Sequence, residues 1–317
     1  MYGDANAIAS IAELSGNTKI AETFRNKARQ IKQLVQMKLW DEQEQFFKVL
    51  INQAGLDYSC SLPEDWYRCN HIERFKLGEL VDVCELSGYT PWYFNLPDPG
   101  YEGAWKKLMD KEAFYAAFGP TTAEQSSPYF MLPHTHECLW NGPSWPFATT
   151  QTLTALANLL NNYKQSYVIN RDYFELLCNY TKSHFLNLED GSRVPWIDEN
   201  LHPYTGEWLA RNELHKRKDE ALNRGKDYNH SGYCDLIISG LVGIRPRWDD
   251  VLEVNPLIPD AQWSYFCLDK IRYHNREITI VYDGSGERYG LGKGLRVMVD
   301  GKEAANSEVI EKLLVNL

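Results

Sequence analysis

Residues able to do chemistry crowd into one stretch of the 317-residue chain, Val194 to Leu209, with sequence VPWIDENLHPYTGEWL. Trp196, Asp198, Glu199, His202, Tyr204 and Glu207 all fall inside it. Carboxyl groups set among aromatic rings suit acid–base work on a sugar. Inverting cleavage of a glycosidic bond needs two of them. One protonates the leaving oxygen and the other draws a proton from water on the opposite ring face, with about 6.5–9.5 Å between them. Glu199 is the candidate base: Asn200 beside it can orient it, and Pro203-Tyr204-Thr205-Gly206 turns the chain tightly just after it. From the residues alone a solvated polar loop explains the same stretch, since loops are normally polar and exposed.

A second stretch, His136 to Asn162, starts as a loop with two tryptophans, Trp140-Asn141-Gly142-Pro143-Ser144-Trp145-Pro146. It continues as a predicted helix with Leu153, Leu156, Ala157 and Leu160 on one face. Flat indole rings can stack on the C–H face of a pyranose while an amide or carboxylate bonds its hydroxyls. The same rings could equally be core anchors around a Gly-Pro break. Glu137 is a candidate ligand for a sugar hydroxyl. His134-Thr135-His136-Glu137-Cys138 has the composition of a metal cluster but matches no zinc-site spacing, so neither a metal nor a cofactor is expected.

The elements that must carry these loops read as paired helices. Ala5–Leu14 is predicted with Ala7, Ile8, Ile11 and Leu14 inward. A helix capped by Thr18 follows, with Ile20, Phe24, Ala28, Ile31 and Val35 on one stripe. Further helices are predicted over 74–86, 172–185 and 231–242, with a charged connector over 211–226. From Val251 the pattern alternates with period two, and Asp283-Gly284 and Asp300-Gly301 supply turns, so the last part is β-rich. Helix pairs separated by long aromatic loops suit an α/α toroid, and no strand–helix alternation supports a parallel sheet.

Composition narrows the partners. A formal charge of −10 leaves no basic surplus for nucleic acid or an anionic membrane surface. No apolar run is long enough to span a bilayer. Aromatic residues make up 13% of the chain, which favours carbohydrate over nucleotides. The seven cysteines include no CxxC pair; Cys84, Cys178 and Cys234 lie in helical patterns and are expected to be buried free thiols.

Trp140 to Pro146 resembles the W-x-G-P-x-W signature of the six-hairpin glycosidases around glycoside hydrolase family 63, which include mannosylglycerate hydrolases. Glu199 to Glu207 is similar to that group's E-x-Y-x-P-x-T-G-x segment, whose first Glu is the general base; Leu201 stands where the group has Tyr. Lys226 to Tyr233 occupies the place of an aromatic-Ser-Trp element opening the last inner helix, with Trp and Thr replaced. The resemblance implies a mainly α fold, an (α/α)6 toroid incomplete at its N-terminus over 1–245, with a β-rich appendage over 246–317. It implies inverting hydrolysis of an α-linked glucoside or mannoside, with Glu199 catalytic. Glu137, Trp140, Asn141, Trp145, Trp196 and His230 would bind the carbohydrate, and no cofactor is required.

The group's acid, an Asp, lies further upstream than the 198 residues that precede Glu199. The expectation is therefore a C-terminal portion of a longer enzyme, lacking the acid and part of the barrel. Its compartment stays open: cytoplasmic if the chain is complete, periplasmic or secreted if a further N-terminal part carries a signal. Oligomeric state stays open too. The competing class is a non-catalytic carbohydrate-binding or scaffold protein. An α/α-toroid lyase acting on uronic acids is disfavoured by the net negative charge, unless a local basic groove exists.

Overall fold

Two helices open the chain, α1 (Tyr2–Leu14) and α2 (Thr18–Leu39), packed as a hairpin. The computed structural model describes residues 1–51, 77–132, 137–218, 222–259 and 262–317. Asn17, not Thr18, is the N-cap of α2: its side chain accepts from the Ile20 N–H at 3.2 Å. The hairpin buries small residues, Ala5, Ala9 and Ala12 of α1 with Ala21 and Ala28 of α2. Ile8, Ile11 and Leu14, predicted inward, are exposed, and so is Ile20. Alanine lets two helices approach closely, so the alanine seam takes the hairpin contact and leaves the larger apolar residues outside it.

Contacts divide the chain into two compact units, residues 1–168 with 182–228, and residues 169–181 with 229–317. In the first unit, the two-residue strands β1 (Trp40–Asp41) and β2 (Phe46–Phe47) pair antiparallel. Beyond them Phe46, Tyr89, Trp92, Trp105 and Phe114 form a fully buried aromatic cluster, with Tyr89 and Trp105 centroids 4.3 Å apart. The described part of the helix predicted over 74–86 is not helical. Leu80 and Glu85 make isolated bridges to Leu50 and Ala123, and a 3-10 turn starts only at Leu86. Thr90–Tyr93 is the short helix α3.

The main helix of this unit is α4 (Pro146–Asn162), where sequence patterning placed it. Trp145 caps it in extended conformation and Pro146 opens its first turn, a position where the missing N–H costs nothing. Leu153, Ala155, Leu156 and Leu159 are fully buried. Asn158 donates from Nδ2 to the carbonyls of Trp92 (3.0 Å) and Tyr93 (2.8 Å), tying α4 to the aromatic cluster. The strands β3 (Phe185–Asn187) and β4 (Arg193–Pro195) form a hairpin ahead of the carboxylate loop. Part of the charged connector is a helix, α6 (Leu209–Lys216).

The second unit holds α5 (Asn170–Lys182, up to Thr181) and α7 (His230–Asp235), which runs on into a π-helical turn, Leu236–Leu241. The buried Tyr173 hydroxyl donates to the Leu236 carbonyl at 2.8 Å. A three-stranded sheet of β5 (Ile244–Arg245), β6 (Val251–Val254) and β11 (Leu313–Asn316) follows. A four-stranded antiparallel sheet comprises β7 (Tyr265–Tyr273), β8 (Arg276–Asp283), β9 (Gly294–Val299) and β10 (Lys302–Ser307). Its core is Phe266, Ile278, Ile280, Leu295 and Val297, the alternation expected from the sequence, and Val281, next to Ile280, is buried outside that alternation. The fold is thus a mainly helical body with a β-rich C-terminal part.

Asp283 closes β8 and organises the turn after it. It accepts from the N–H groups of Ser285, Gly286, Arg288 and Tyr289 and from the Ser285 hydroxyl at 2.7–3.2 Å. Burial works to raise its pKa, and these donors outweigh that, so the net shift is below the ordinary 3.8. A carboxyl lowered in the folded state stabilises above its unfolded pKa and stops doing so as pH falls through the folded value. Asp283→Ala is therefore expected to lower the melting midpoint at neutral pH by more than it does in strong acid, read by circular dichroism across that range.

Candidate active site

The two chemistry-bearing loops meet through backbone pairing. Ser144, two residues after Gly142, bridges antiparallel to Leu201, each N–H bonding the other's carbonyl at 3.0 and 2.9 Å. Ser144 also bridges to Thr121, and Leu201 to Trp208, so four short segments lie side by side. Ser144 is fully buried and its hydroxyl donates to the Gly119 carbonyl at 2.9 Å. Gly142 has φ +145, and a Cβ there would run into the Phe130 ring, which is why glycine stands between the tryptophans. After Leu201, His202 N–H bonds the Glu207 carbonyl, and its Nδ1 accepts from Tyr204 and Thr205 N–H. His202 is thus a turn former.

This pairing brings Glu199 beside the start of the tryptophan loop. Its Oε2 accepts from the Cys138 thiol at 3.4 Å and lies 4.0 Å from Arg224 Nη2, with about 20% of the side chain exposed. Buried Asp198 accepts from the Glu199 N–H at 2.8 Å and from Trp196 Nε1 at 3.1 Å, holding the backbone under the candidate base. Gly225 packs against this pair so closely that a Cβ would sit 1.9 Å from Asp198 Oδ1. Asn200 does not orient Glu199: its Nδ2 donates to the Glu137 carbonyl at 2.7 Å, and so clamps the tryptophan loop instead.

The expected sugar-binding residues divide by placement. Trp140 and Trp145 are stacked, centroids 4.2 Å apart and planes 16° from parallel. Trp140 is 49% exposed and Trp145 only 4%, with Trp145 Nε1 donating to the Leu139 carbonyl. Trp145 also meets Tyr228 edge-on at 6.1 Å. Asn141 spends its amide nitrogen on the Tyr129 and Leu132 carbonyls, both at 3.2 Å. Glu137 is held by Arg224 (2.6 Å) and Arg217 (3.0 Å), which is an ion pair of the kind its residue type equally allowed. Trp196 carries the Arg211 guanidinium 4.8 Å and the Lys226 ammonium 5.4 Å from its ring centroid. His230 lies in the other compact unit, exposed at the first residue of α7.

The sequence does not single out Arg217, Arg224, Gly225 or Tyr228, and it marks Cys138 only as part of a metal-like cluster. Their signal is weak because each comes close only through folding. The Cys138 thiol is pushed up to about 11, first by burial and then by the Glu199 carboxylate. Tyr228 is likewise raised by burial and by Glu199. A thiol kept protonated is a poor nucleophile. Near neutral pH, iodoacetamide should therefore modify Cys138 at least about tenfold more slowly than exposed Cys234, followed by mass spectrometry of the peptides. Cys84 is buried as expected, whereas Cys178 is only half-buried and Cys234 is exposed. His134 to His136 lie outside the described residues, and among the described residues no His/Cys/Asp/Glu group could hold a metal.

Comparison with known proteins agrees with this helical body and its β-rich tail. Residues 1–231 match the family described as "Mannosylglycerate hydrolase MGH1-like glycoside hydrolase domain". Residues 244–306 match "Glycosyl hydrolase family 65, C-terminal domain". A solved structure described as "Sialidase" is 39% identical with a TM-score of 0.83, covering 99% of this chain and 26% of that one. The GH63 mannosylglycerate hydrolase from Thermus thermophilus in complex with glucose is 15% identical with a TM-score of 0.44, covering 68% of this chain and 44% of that one. The chain thus spans about a quarter of the first of these relatives and less than half of the second. By the match over 1–231 it belongs to the mannosylglycerate hydrolase MGH1-like family of glycoside hydrolases, and its helical part is a glycosidase domain.

Proposed function

We propose that the chain contributes the general base and part of the sugar wall of an inverting glycosidase acting on an α-linked glucoside or mannoside. The observation that carries this reading is the Ser144–Leu201 pairing, which sets Glu199 alongside the loop of Trp140 and Trp145. In this reading Glu199 draws a proton from the attacking water. The half-exposed Trp140 supplies the stacking face and Trp145 backs it. Glu137, Trp196 and Asn141 shape the site through the loops they hold. Glu137, bonded to two guanidiniums, is poorly suited to donate a proton.

The helix pairs belong to an (α/α)6 toroid, with residues 1–245 as its glycosidase part and 246–317 as the appendage. The exposed Ile8, Ile11 and Leu14 of α1 would meet a neighbouring hairpin of that toroid.

The test follows hydrolysis of p-nitrophenyl α-glucoside and α-mannoside by proton NMR. Release of the β-anomer first supports inversion; the α-anomer first sinks it. Arg224 and Cys138 crowding the Glu199 carboxylate favour a second reading, a carbohydrate-binding module without turnover. Saturable sugar-dependent quenching of tryptophan fluorescence, with no hydrolysis even in a polypeptide as long as the relatives, would establish it.

A further inference from the structure

A small cavity lies against Trp140 in the first unit, of about 90 Å³, with Glu85, Ser87, Thr90, Gln151 and Thr152 on its walls. That is room for roughly three waters, too little for a second sugar ring. Glu85 bridges to Ala123, and the Leu86 N–H bonds the Thr122 carbonyl at 2.9 Å. The Thr122 hydroxyl donates to the Pro143 carbonyl at 2.8 Å and accepts from the Gly142 N–H at 3.1 Å, joining this segment to the tryptophan loop. Gln151 and Thr152 project from α4.

The chemistry of the walls is that of a hydroxyl receptor: one carboxyl, one amide and four hydroxyls, that of Thr122 already bonded to Pro143 and Gly142, with an indole beside them. No lysine or arginine lines the cavity, so an anionic group would stand next to Glu85 uncompensated. The Glu85 carboxyl has one long bond, from the Ser87 hydroxyl at 3.4 Å, and burial raises its pKa. It is thus short of partners and has free capacity to bond a ligand hydroxyl.

We propose that this cavity is a subsite for the exocyclic hydroxymethyl group of a neutral hexopyranose whose ring lies against Trp140. Glu85 and Gln151 bond the primary hydroxyl, and Thr90 and Thr152 complete the polar wall. The proposal rests on reading Trp140 as a sugar-stacking face, and it adds what the stacked sugar must carry.

Calorimetric titration of the full chain tests it, in a Glu199→Gln background to prevent turnover. The probes are methyl α-glucoside and methyl α-mannoside, each set against methyl α-xyloside and methyl α-lyxoside, their counterparts lacking the hydroxymethyl. The hexosides are expected to bind about tenfold more tightly. Glu85→Leu and Gln151→Leu should each erase most of that preference, while Glu85→Gln, which keeps a donor and an acceptor, should retain most of it. Melting curves establish that each variant is folded, and either leucine variant suffices if the other is not. Should a folded leucine variant keep the full preference while Trp140→Ala weakens every sugar, the subsite falls and the stacking face stands. Binding of no sugar by the parent, or equal binding of hexosides and pentosides, overturns the proposal; only the first of these also removes the stacking face.

Discussion

Glu199→Gln should lower kcat on an aryl α-glycoside by about 10²–10⁴-fold, the range expected when a positioned general base is lost. The substitution is nearly isosteric. Its amide can still accept from the Cys138 thiol, and Asp198 still holds the backbone N–H of residue 199. KM and the melting midpoint are therefore expected to change little. A loss confined to kcat identifies an interaction made in the transition state. Parallel assays of the Glu199→Gln and parent proteins, both in the longest form that shows turnover, give the ratio. Retention of more than about a tenth of the parent kcat would remove Glu199 from the reaction and with it the assignment of the base.

Trp145→Ala should be the most damaging substitution in the same region for a different reason. The ring is buried to 4%, stacked under Trp140, edge-on to Tyr228 and bonded through Nε1 to the Leu139 carbonyl. Truncating a buried tryptophan leaves a cavity and an orphaned acceptor, at a cost of about 3–5 kcal/mol. Domains of ordinary stability have roughly 5–15 kcal/mol in total. Trp140→Ala, at an exposed position, should cost much less stability while weakening sugar binding at least as much. Urea denaturation followed by circular dichroism gives the stability difference, and an unchanged midpoint in Trp145→Ala would contradict the buried, load-sharing position of the ring.

These two tryptophans also show where sequence reading reaches its limit. Their spacing, with Gly142-Pro143 between them and a helical apolar stripe after them, identified the loop and the helix α4 it opens. Which ring faces solvent depends on the stacking of one upon the other, and that is a tertiary fact. The first helix gives the same lesson. Its periodicity was legible, but Ile8, Ile11 and Leu14 were expected inside and alanines took that place. Periodicity names a face; what packs against it is decided by the partner helix. Residues 77–85 were read as helical because Leu77, Leu80, Val81 and Cys84 recur at helical spacing, yet bridges to Leu50 and Ala123 claim that backbone instead.

Charge behaves in the same way. With a net of −10 the chain reads as acidic throughout. Folding nevertheless gathers Arg217 and Arg224 on Glu137, with Arg224 also 4.0 Å from Glu199, and places Arg211 and Lys226 over Trp196. The same gathering pairs Glu137 with two guanidiniums that lie 80 and 87 positions further along the chain.

Residue order alone determined the helical body, the β-rich tail, the two loops and the identity of the carboxylate worth testing. Each follows from interactions within a few residues: period, cap, turn and motif. Tertiary structure alone decided that the loops adjoin through Ser144 and Leu201, that Asn200 grips Glu137 rather than Glu199, and that a polar cavity opens beside Trp140. Those outcomes join residues tens of positions apart, and short-range patterns in a single sequence do not encode which distant backbone groups will pair.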